Sequence, residues 1–409
     1  MAAKKEQITG NMLIAQSGGP TAVINQSLVG AVLEAKNQDC IQRIYGARHG
    51  IQGILNEDFI DMKREPKKVL EQVAQTPSSA LGSVRRKPTA EDCAKIFDVL
   101  QRYDVRYFFY IGGNDSAETA HIINEEARKA KYDLHCFHIC KTIDNDLRQN
   151  DHTPGFGSAA KFVAQAFMGD NLDNRALPGV KINVVMGRHA GFLTAASALA
   201  RQDEDDGPHL IYLPERPFRM TQFVRDVKAT VKQYGRCVVA VSEGIADGNG
   251  TPIVQKNLKT GEKDSHGNVQ LSGTGALGDI LAAEIKDKTP IKRVRADTFG
   301  YLQRSFAGCV SEVDAAEARR VGEEAVRCAA TGGKSGSIAI KRKNSKRYAV
   351  EYRRVPLKSV AKETRHMPDS FINKDGNDVT KRFIDYARPL LGEIPLMGRL
   401  KQVVVKKKD

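Results

Sequence analysis

The chain has 409 residues, of which 41% are hydrophobic, and it carries a formal net charge of +14. This length exceeds what one ordinary hydrophobic core encloses, so we expect two lobes. No apolar run approaches the roughly 20 residues of a membrane-spanning helix. The first residues lack the apolar stretch of a secretory signal peptide. We therefore expect a cytoplasmic protein that does not contact a membrane.

Two basic runs, residues 341–347 and 406–408, supply much of the positive charge. Neither is interleaved with the aromatic residues that stack on bases, so we predict solvated basic faces and no nucleic-acid partner. The seven cysteines are scattered and odd in number, which favours free thiols over a disulfide framework. Residues 135–140 combine His and Cys but are typical of a buried strand, so no zinc site is expected there.

Apolar runs that each end in a polar or glycine-rich loop recur along the chain. In chain order they predict strands at residues 12–16, 106–111, 134–140, 181–186 and 237–241. Alternation of such strands with helical patterns predicts an α/β fold with mostly parallel sheets covered on both faces. Ligands in such folds bind beyond the carboxyl ends of the strands, where these loops gather. Residues 247–275, rich in Gly, Asn and Asp, predict an inserted hairpin or flap.

The loop after the first strand is Ser17-Gly18-Gly19, followed by a helical pattern. Glycines allow the backbone to approach a phosphate closely, and the helix N-terminus offers unpaired N–H groups. A plain tight turn explains the same residues equally well. A second glycine loop, residues 331–335, ends like a P-loop, but Cys328 occupies the required earlier glycine position.

Lys141, Thr142, Asp144 and Asp146 are concentrated after the strand predicted at residues 134–140. Such a set can hold a magnesium phosphate, take a proton from an attacking hydroxyl and neutralise developing charge. This concentration of charge after an apolar strand favours a catalytic loop.

Asn114 and Asp115 follow Gly112-Gly113 at the end of another predicted strand. A carboxylate in this position can reach a phosphate-bound metal. The alternative is that both residues cap the helix predicted at residues 116–130, and the two roles are compatible.

Three later loops add cations and a carboxylate. They are Met186-Gly187-Arg188, Ser242-Glu243-Gly244, and Arg295 with the loop from Gly300 to Arg304. Arginines beside glycine turns favour anion binding, and Glu243 could accept hydrogen bonds from sugar hydroxyls.

In this order, between residues 12 and 304, the loops resemble those of the phosphofructokinase family. The resemblance implies two Rossmann-like lobes with the active site in the cleft between them. It also implies transfer of a phosphoryl group to the 1-hydroxyl of fructose 6-phosphate, giving fructose 1,6-bisphosphate. The expected lobes are residues 1–155 with 303–355 for the phosphoryl donor, and 156–302 with 356–409 for the sugar phosphate.

The resemblance also assigns roles by position. Asp144 matches the catalytic base, and Thr142 and Arg188 match residues that stabilise the transferring phosphoryl group. Donor binding is assigned to Gly19, Arg85, Asp115 and Lys141, and a Mg²⁺ ion to Asn114, Asp115 and Asp146. Sugar-phosphate binding is assigned to Met186, Gly187, Arg188, Glu243, Arg295, Tyr301 and Arg304. Family members share sites between subunits, so a homo-oligomer, a dimer or tetramer, is expected, with Arg295 acting on a neighbouring subunit.

Departures from the ATP-using members point to the donor. Asp115 and Lys141 each stand where those relatives have glycine, and Tyr301 replaces a histidine, as in pyrophosphate-dependent members. We therefore expect pyrophosphate as the donor. The alternatives are an ATP-dependent phosphofructokinase and, more remotely, a kinase of the nicotinamide-dinucleotide and lipid kinase class, which shares a Gly-Gly-Asp-type loop.

Further departures concern the metal, the sugar phosphate and regulation. Asn114 replaces a metal-associated aspartate, and Lys181 is the nearest counterpart of a second arginine of the sugar-phosphate site. Val29 and Leu33 stand where ATP-using relatives have arginines that bind effectors, so we expect hyperbolic, unregulated kinetics.

Overall fold

The computed structural model describes residues 8–86, 88–255, 275–361, 363–401 and 405. The strands are β1 (Gly10–Gln16), β2 (Ile41–Ala47), β3 (Phe59–Asp61), β4 (Val105–Gly112), β5 (His135–Cys140), β6 (Val180–Val185), β7 (Leu210–Tyr212), β8 (Cys237–Ser242), β9 (Val294–Thr298), β10 (Gly336–Arg342) and β11 (Val350–Val355). The helices are α1 (Ile24–Lys36), α2 (Ile51–Leu55), α3 (Lys67–Ala74), α4 (Ala90–Arg102), α5 (Asn114–Lys129), α6 (Phe156–Ala176), α7 (Phe192–Ala195), α8 (Met220–Tyr234), α9 (Ala276–Lys288), α10 (Glu312–Ala330) and α11 (Lys381–Leu391). The strands predicted from the apolar runs are confirmed, with ends that differ by one or two residues.

The first sheet has seven strands in the order β11-β10-β5-β4-β1-β2-β3. Its central pairs are parallel, and antiparallel strands β11 and β3 form the two edges. Side chains alternate between the faces of β1: Met12 and Ile14 pack in one apolar core, Leu13 and Ala15 in another. Burial on both faces explains why the strand is a continuous apolar run.

The second sheet has four strands in the order β7-β8-β6-β9, and all its pairs are parallel. The prediction of an α/β fold with mostly parallel sheets is therefore confirmed. Every strand of this sheet lies between residues 180 and 298, and every strand of the first sheet lies outside that interval. The residue limits assigned to the two lobes stay a prediction.

The C-terminal segment packs on both parts of the molecule. Leu357 and Val360 are buried in the cores of the first sheet. Helix α11 packs against α6 and α10, and its Phe383 and Leu390 are buried in the core formed by α6. This segment is therefore positioned to contact loops from both lobes.

Several other expectations have a direct structural outcome. All seven cysteines are free thiols. His138 lies buried within β5, where its ring nitrogens contact Ser337 Oγ at 2.8 Å and Gly112 O at 2.8 Å. Of the segment predicted as a flap, residues 256–274 lie outside the described residues, as does the basic run 406–408. Among the helices that the structure describes, none is both long enough and apolar enough to cross a membrane.

Candidate active site

The loops after β1, β4 and β5 meet because these strands are parallel neighbours in the first sheet. Together with residues 84–86 and Arg304, they line a cavity of about 270 Å³, which we call the donor cavity. Its lining includes Gly18, Gly19, Arg85, Asn114, Asp115, Lys141, Thr142, Asp144, Asp146 and Arg304. The structure therefore brings together every residue that the sequence assigned to donor and metal binding.

Lys141 is the buried cation of this cavity, with only 3% of its surface exposed. Its Nζ donates a hydrogen bond of 2.7 Å to Gly19 O. A Cβ at Gly18, whose φ is +75°, would lie 3.3 Å from the same Nζ. Burial lowers the pKa of Lys141 to about 7, with further lowering by Arg304 and Arg85. A bound anion would stabilise its protonated form, so the position favours an anionic ligand.

Asp144 and Asp146 lie on the loop that follows β5. The Asp144 backbone N–H donates a 3.1 Å hydrogen bond to Thr142 Oγ1, which fixes the turn. Burial raises the pKa of Asp144, although the cations Arg304 and Lys141 oppose this shift. Burial and the neighbouring Asp144 raise the pKa of Asp146 to about 7. A carboxylate pair crowded in this way favours a bound proton or cation.

The alternative that Asn114 and Asp115 cap the following helix does not hold. Helix α5 begins at Asn114 itself, so its N-cap is Gly113, which has no side chain to make a cap. Asn114 instead donates Nδ2 to Asp146 Oδ2 at 3.3 Å. Asp115 is exposed at the rim of the donor cavity. Within the described part of the chain it forms no ion pair with Lys141, so these two residues do not neutralise each other by direct contact.

The loops after β6 and β8 meet at the edge of the second sheet. Ser242 Oγ donates to Gly187 O at 2.5 Å, and the Glu243 N–H donates to Val185 O at 2.9 Å. The Met186 N–H donates to Gln303 Oε1 at 3.2 Å, which ties in the loop that contains Tyr301 and Arg304. The residues assigned to the sugar phosphate on these loops are therefore neighbours, and Glu243 is buried.

Arg304, which the sequence assigns to sugar-phosphate binding, also lies beside the glycine turn and near Asp144. Its guanidinium carbon lies 4.6 Å from the centroid of the Tyr301 ring and 3.2 Å from the Cβ position of Gly19. It also lies close enough to Asp144 to oppose the rise of that carboxyl's pKa. Arg304 thus connects the donor loop with the sugar-phosphate loops.

Some assigned residues are not brought to the donor cavity. Arg188 lines a second cavity, of about 600 Å³, together with His189, Gly244 and Glu215. Arg295 is exposed on β9, the edge strand of the second sheet. Lys181 pairs with Asp297 on β9 and lies 3.6 Å from Asp170, so it is engaged within its own chain.

Functional residues that sequence reasoning missed fall into two groups. Gln303 and His189 lie inside the loops that contain Arg304 and Arg188, and His189 lies close enough to affect the pKa of Asp144. Arg365 contacts the Asp144 loop from a segment about 220 residues away. No motif surrounds Arg365, so the sequence gives no signal for it.

The phosphofructokinase family model matches residues 11–329. The pyrophosphate–fructose 6-phosphate 1-phosphotransferase of Rhodospirillum rubrum is 61% identical over 383 residues, which cover 94% of each chain. The enzyme of the same name from Xanthomonas campestris is 41% identical, with 95% of this chain and 93% of that protein covered.

A similar solved structure is that of a pyrophosphate-dependent phosphofructokinase from Marinobacter aquaeolei. It superposes with a TM-score of 0.84 at 33% identity and covers 98% of both chains. The chain belongs to the phosphofructokinase family. The similarity extends through the C-terminal segment, well beyond the region that the family model matches.

Proposed function

We propose that the chain transfers a phosphoryl group from pyrophosphate to the 1-hydroxyl of fructose 6-phosphate, giving fructose 1,6-bisphosphate and phosphate. The bond between the bridging oxygen and one phosphorus of pyrophosphate breaks, and the sugar oxygen bonds to that phosphorus. The observation that carries the proposal is the buried Lys141 ammonium against the Gly18-Gly19 turn. The pyrophosphate-named relatives, similar over almost their whole length, support the same donor.

The position of the Lys141 ammonium favours pyrophosphate over ATP as the donor. Its Nζ fills the space beside the glycine turn, within 3.3 Å of the Cβ position of Gly18. A terminal phosphate of pyrophosphate carries free oxygens that can accept from this ammonium. In ATP the corresponding β-phosphate is joined through an anhydride oxygen to the α-phosphate, and this extension of the donor would need the space that Lys141 occupies. A single glycine in place of Lys141 would remove both effects.

Asp115 contributes less than its charge alone suggests. Two like charges about 4 Å apart repel by about 4 kcal/mol at an effective dielectric constant of about 20, but by only about 1 kcal/mol in water. Since the side chain of Asp115 is exposed, its repulsion toward a nucleotide phosphate lies toward the lower value. We therefore assign most of the donor preference to the buried Lys141, and a smaller part to Asp115.

Asp144 is the base that accepts the proton of the attacking hydroxyl, as an aspartate does in kinase-type transfer. Thr142, Arg188 and Arg304 stabilise the charge of the transferring group. Glu243 is buried beside the Met186–Arg188 loop and accepts hydrogen bonds from sugar hydroxyls. Arg85 and Lys141 hold the leaving phosphate.

The oxygen atoms around Asp146 fit a Mg²⁺ ion. Asn114 Oδ1 is buried and has no hydrogen-bond partner among the described residues, and Asp146 Oδ2 lies next to that amide. Mg²⁺ takes oxygen ligands and is usually held by one or two carboxylates together with substrate phosphates. Asn114, Asp115 and Asp146 would hold it. When bound, it supplies neutralisation of phosphate charge.

A homo-oligomer would complete the sugar-phosphate side. Arg295 lies exposed on an edge strand, away from the donor cavity of its own chain. Three large apolar side chains close to Arg304 in the sequence are 45–63% exposed: those of Tyr301, Leu302 and Phe306. Neighbouring exposed apolar side chains of this kind are typical of interaction surfaces. We therefore place Arg295 in the site of a neighbouring subunit of a cytoplasmic dimer or tetramer.

The protein is also proposed to lack effector control. Val29 is fully buried in the core, and Leu33 packs against the same core. Neither side chain can bind an anion. Substrate saturation should therefore be hyperbolic and unaffected by ADP or phosphoenolpyruvate.

The proposed function is tested with the wild-type protein in both directions. With Mg²⁺, fructose 6-phosphate and pyrophosphate should give equal amounts of fructose 1,6-bisphosphate and phosphate. The reverse mixture should regenerate pyrophosphate at a comparable rate. Absence of turnover in both directions would exclude the proposed reaction, and sigmoidal curves relieved by ADP would exclude the unregulated form.

A further inference from the structure

A short C-terminal segment, residues 363–367, lies along the end of the catalytic loop. Thr364 forms an isolated antiparallel bridge with Leu147. The Arg365 N–H donates a hydrogen bond of 2.7 Å to Asp146 O, and Glu363 pairs with Arg148. The segment thus adds a strand-like contact directly after the two carboxylates of the donor cavity.

The guanidinium of Arg365 binds backbone carbonyls of the same loop. Nε and Nη2 donate to Asn145 O at 3.2 and 2.5 Å. Nη1 donates to Asn150 O at 2.7 Å and to Asp151 O at 2.9 Å. A rigid planar fork can satisfy several carbonyls in one fixed geometry, which a lysine cannot do. Arg365 therefore fixes the path of the chain around the catalytic carboxylates.

The residue at the centre of these bonds has an unusual backbone conformation. Asn145 lies between Asp144 and Asp146 with φ of +58°, in the left-handed region that non-glycine residues enter only at a cost. Its side chain is buried, and Nδ2 donates to the Tyr386 hydroxyl at 2.7 Å. Tyr386 in turn donates to Asp151 O at 2.7 Å. Two C-terminal residues therefore hold Asn145, one by its carbonyl and one by its side chain.

The same segment contacts the loop that contains Arg188. The Arg365 guanidinium lies 4.7 Å from the ring centroid of Phe192, at the start of α7. His366 Nδ1 lies 3.0 Å from His189 O. The Gly191 and Met367 N–H groups both donate to Glu215 Oε1, at 2.8 and 3.2 Å. Residues 365–367 thus connect the loop of the base with the loop of the phosphoryl-stabilising arginine.

From these contacts we propose that Arg365 is a positioning residue for phosphoryl transfer: it fixes the Asp144 loop relative to the Arg188 loop. Tyr386 assists it through Asn145. Both residues lie outside residues 11–329, the region that the family model matches. Neither lines the donor cavity, so they act through the loops that they hold. The inference rests on the proposed phosphoryl transfer, but not on which donor is used.

The test compares Arg365→Lys and Tyr386→Phe with a matched control, Arg201→Lys. Arg201 also anchors the C-terminal segment, with two bonds to Asp378 at 2.9 and 3.0 Å and one to Pro208 O at 2.7 Å, but it does not contact either loop. For each variant we would measure kcat, KM for both substrates and the melting temperature, using the donor that the wild type turns over.

Arg365→Lys should lose about 10²-fold in kcat, the effect of misplacing reacting groups by about 1 Å, while KM changes less than about threefold. Tyr386→Phe should show a smaller loss with the same pattern. Arg201→Lys should keep the wild-type kcat even if its melting temperature falls as far as that of Arg365→Lys. Unchanged kcat in Arg365→Lys would overturn the proposal. Equal losses in Arg201→Lys, or failure of both Arg365→Lys and Tyr386→Phe to fold, would show a purely structural role and also overturn it.

Discussion

The proposed donor side and the proposed sugar-phosphate side of the site differ in how completely one chain builds them. The donor cavity is lined mainly by three loops of one sheet, with Arg85 and Arg304 from other parts of the same chain, and it contains the buried Lys141 and the carboxylates Asp144 and Asp146. The sugar-phosphate side has the buried Glu243, but Tyr301 is about half exposed, and Arg295 is exposed and does not line the donor cavity.

This difference has a physical cause. Adjacent parallel strands bring their carboxyl ends to one place, so the donor loops converge without help from another chain. The sugar-phosphate loops follow β6 and β8 in the smaller sheet, whose edge strand β9 holds Arg295 at the surface. We infer that substitutions on the donor side act within one subunit, whereas those on the sugar-phosphate side act across subunits.

The largest expected effect is at the base on the donor side. Asp144→Asn should lower kcat by about 10² to 10⁴, the usual range for removal of a general base, while the protein still binds fructose 6-phosphate. Steady-state kinetics together with sugar-phosphate binding measured by calorimetry would check both parts. A variant that retains near wild-type kcat would show that another group takes the proton.

A smaller effect is expected at Arg295. Loss of a charge-assisted hydrogen bond to phosphate costs about 1.5 to 3 kcal/mol, so Arg295→Ala should raise KM for fructose 6-phosphate by about 10- to 100-fold. Its kcat with pyrophosphate should change little.

Mixing Arg295→Ala with Asp144→Asn then shows whether Arg295 serves the site of its own subunit or that of its neighbour. If Arg295 serves the neighbouring subunit, a mixed dimer has one complete site, and random mixing should restore about a quarter of the wild-type activity at low sugar phosphate. If mixing restores no activity, Arg295 acts in its own chain, and the contrast between the two sides of the cleft would fail.

The smallest effect concerns the pH dependence of donor binding. In the proposed donor site Lys141 would bind pyrophosphate as a cation, and burial lowers its pKa to about 7 in the free enzyme. The proton is therefore present below about pH 7 and is lost as the pH rises, so kcat/KM for pyrophosphate should decline above this pH. Lys141→Arg keeps its charge and should lack this decline. Comparing the two proteins removes the titration of pyrophosphate itself, and identical profiles would exclude Lys141 as the titrating group.

The part of the site that could be predicted from sequence is the part built by local motifs. One short stretch after an apolar strand contains Lys141, Thr142, Asp144 and Asp146. The neighbouring parallel strands of the sheet bring this stretch close to the glycine loops. The alternative role of Asn114 and Asp115 as caps of α5 fails because the helix begins earlier than the apolar pattern indicates, at Asn114. The exposure of Asp115 depends on the direction of one side chain, which sequence spacing does not determine.

The contacts of the C-terminal segment could not be predicted for a different reason. Arg365 binds backbone carbonyls, and a carbonyl belongs to every residue, so its partners leave no mark on the sequence. The segment reaches the Asp144 loop only after the chain has completed both sheets. Contacts of this kind depend on the tertiary arrangement, whereas the donor loops depend on strand order.

The central claim, that pyrophosphate is the donor because of Lys141, is tested most directly by one ratio. This is kcat/KM with pyrophosphate divided by kcat/KM with ATP, measured for the wild type, Asp115→Gly, Lys141→Gly and the double variant. KM for fructose 6-phosphate serves as the control for folding. The wild type should use pyrophosphate almost exclusively, Lys141→Gly should shift the ratio more than Asp115→Gly, and the double variant should gain ATP use. Efficient turnover of ATP by the wild type would contradict the claim.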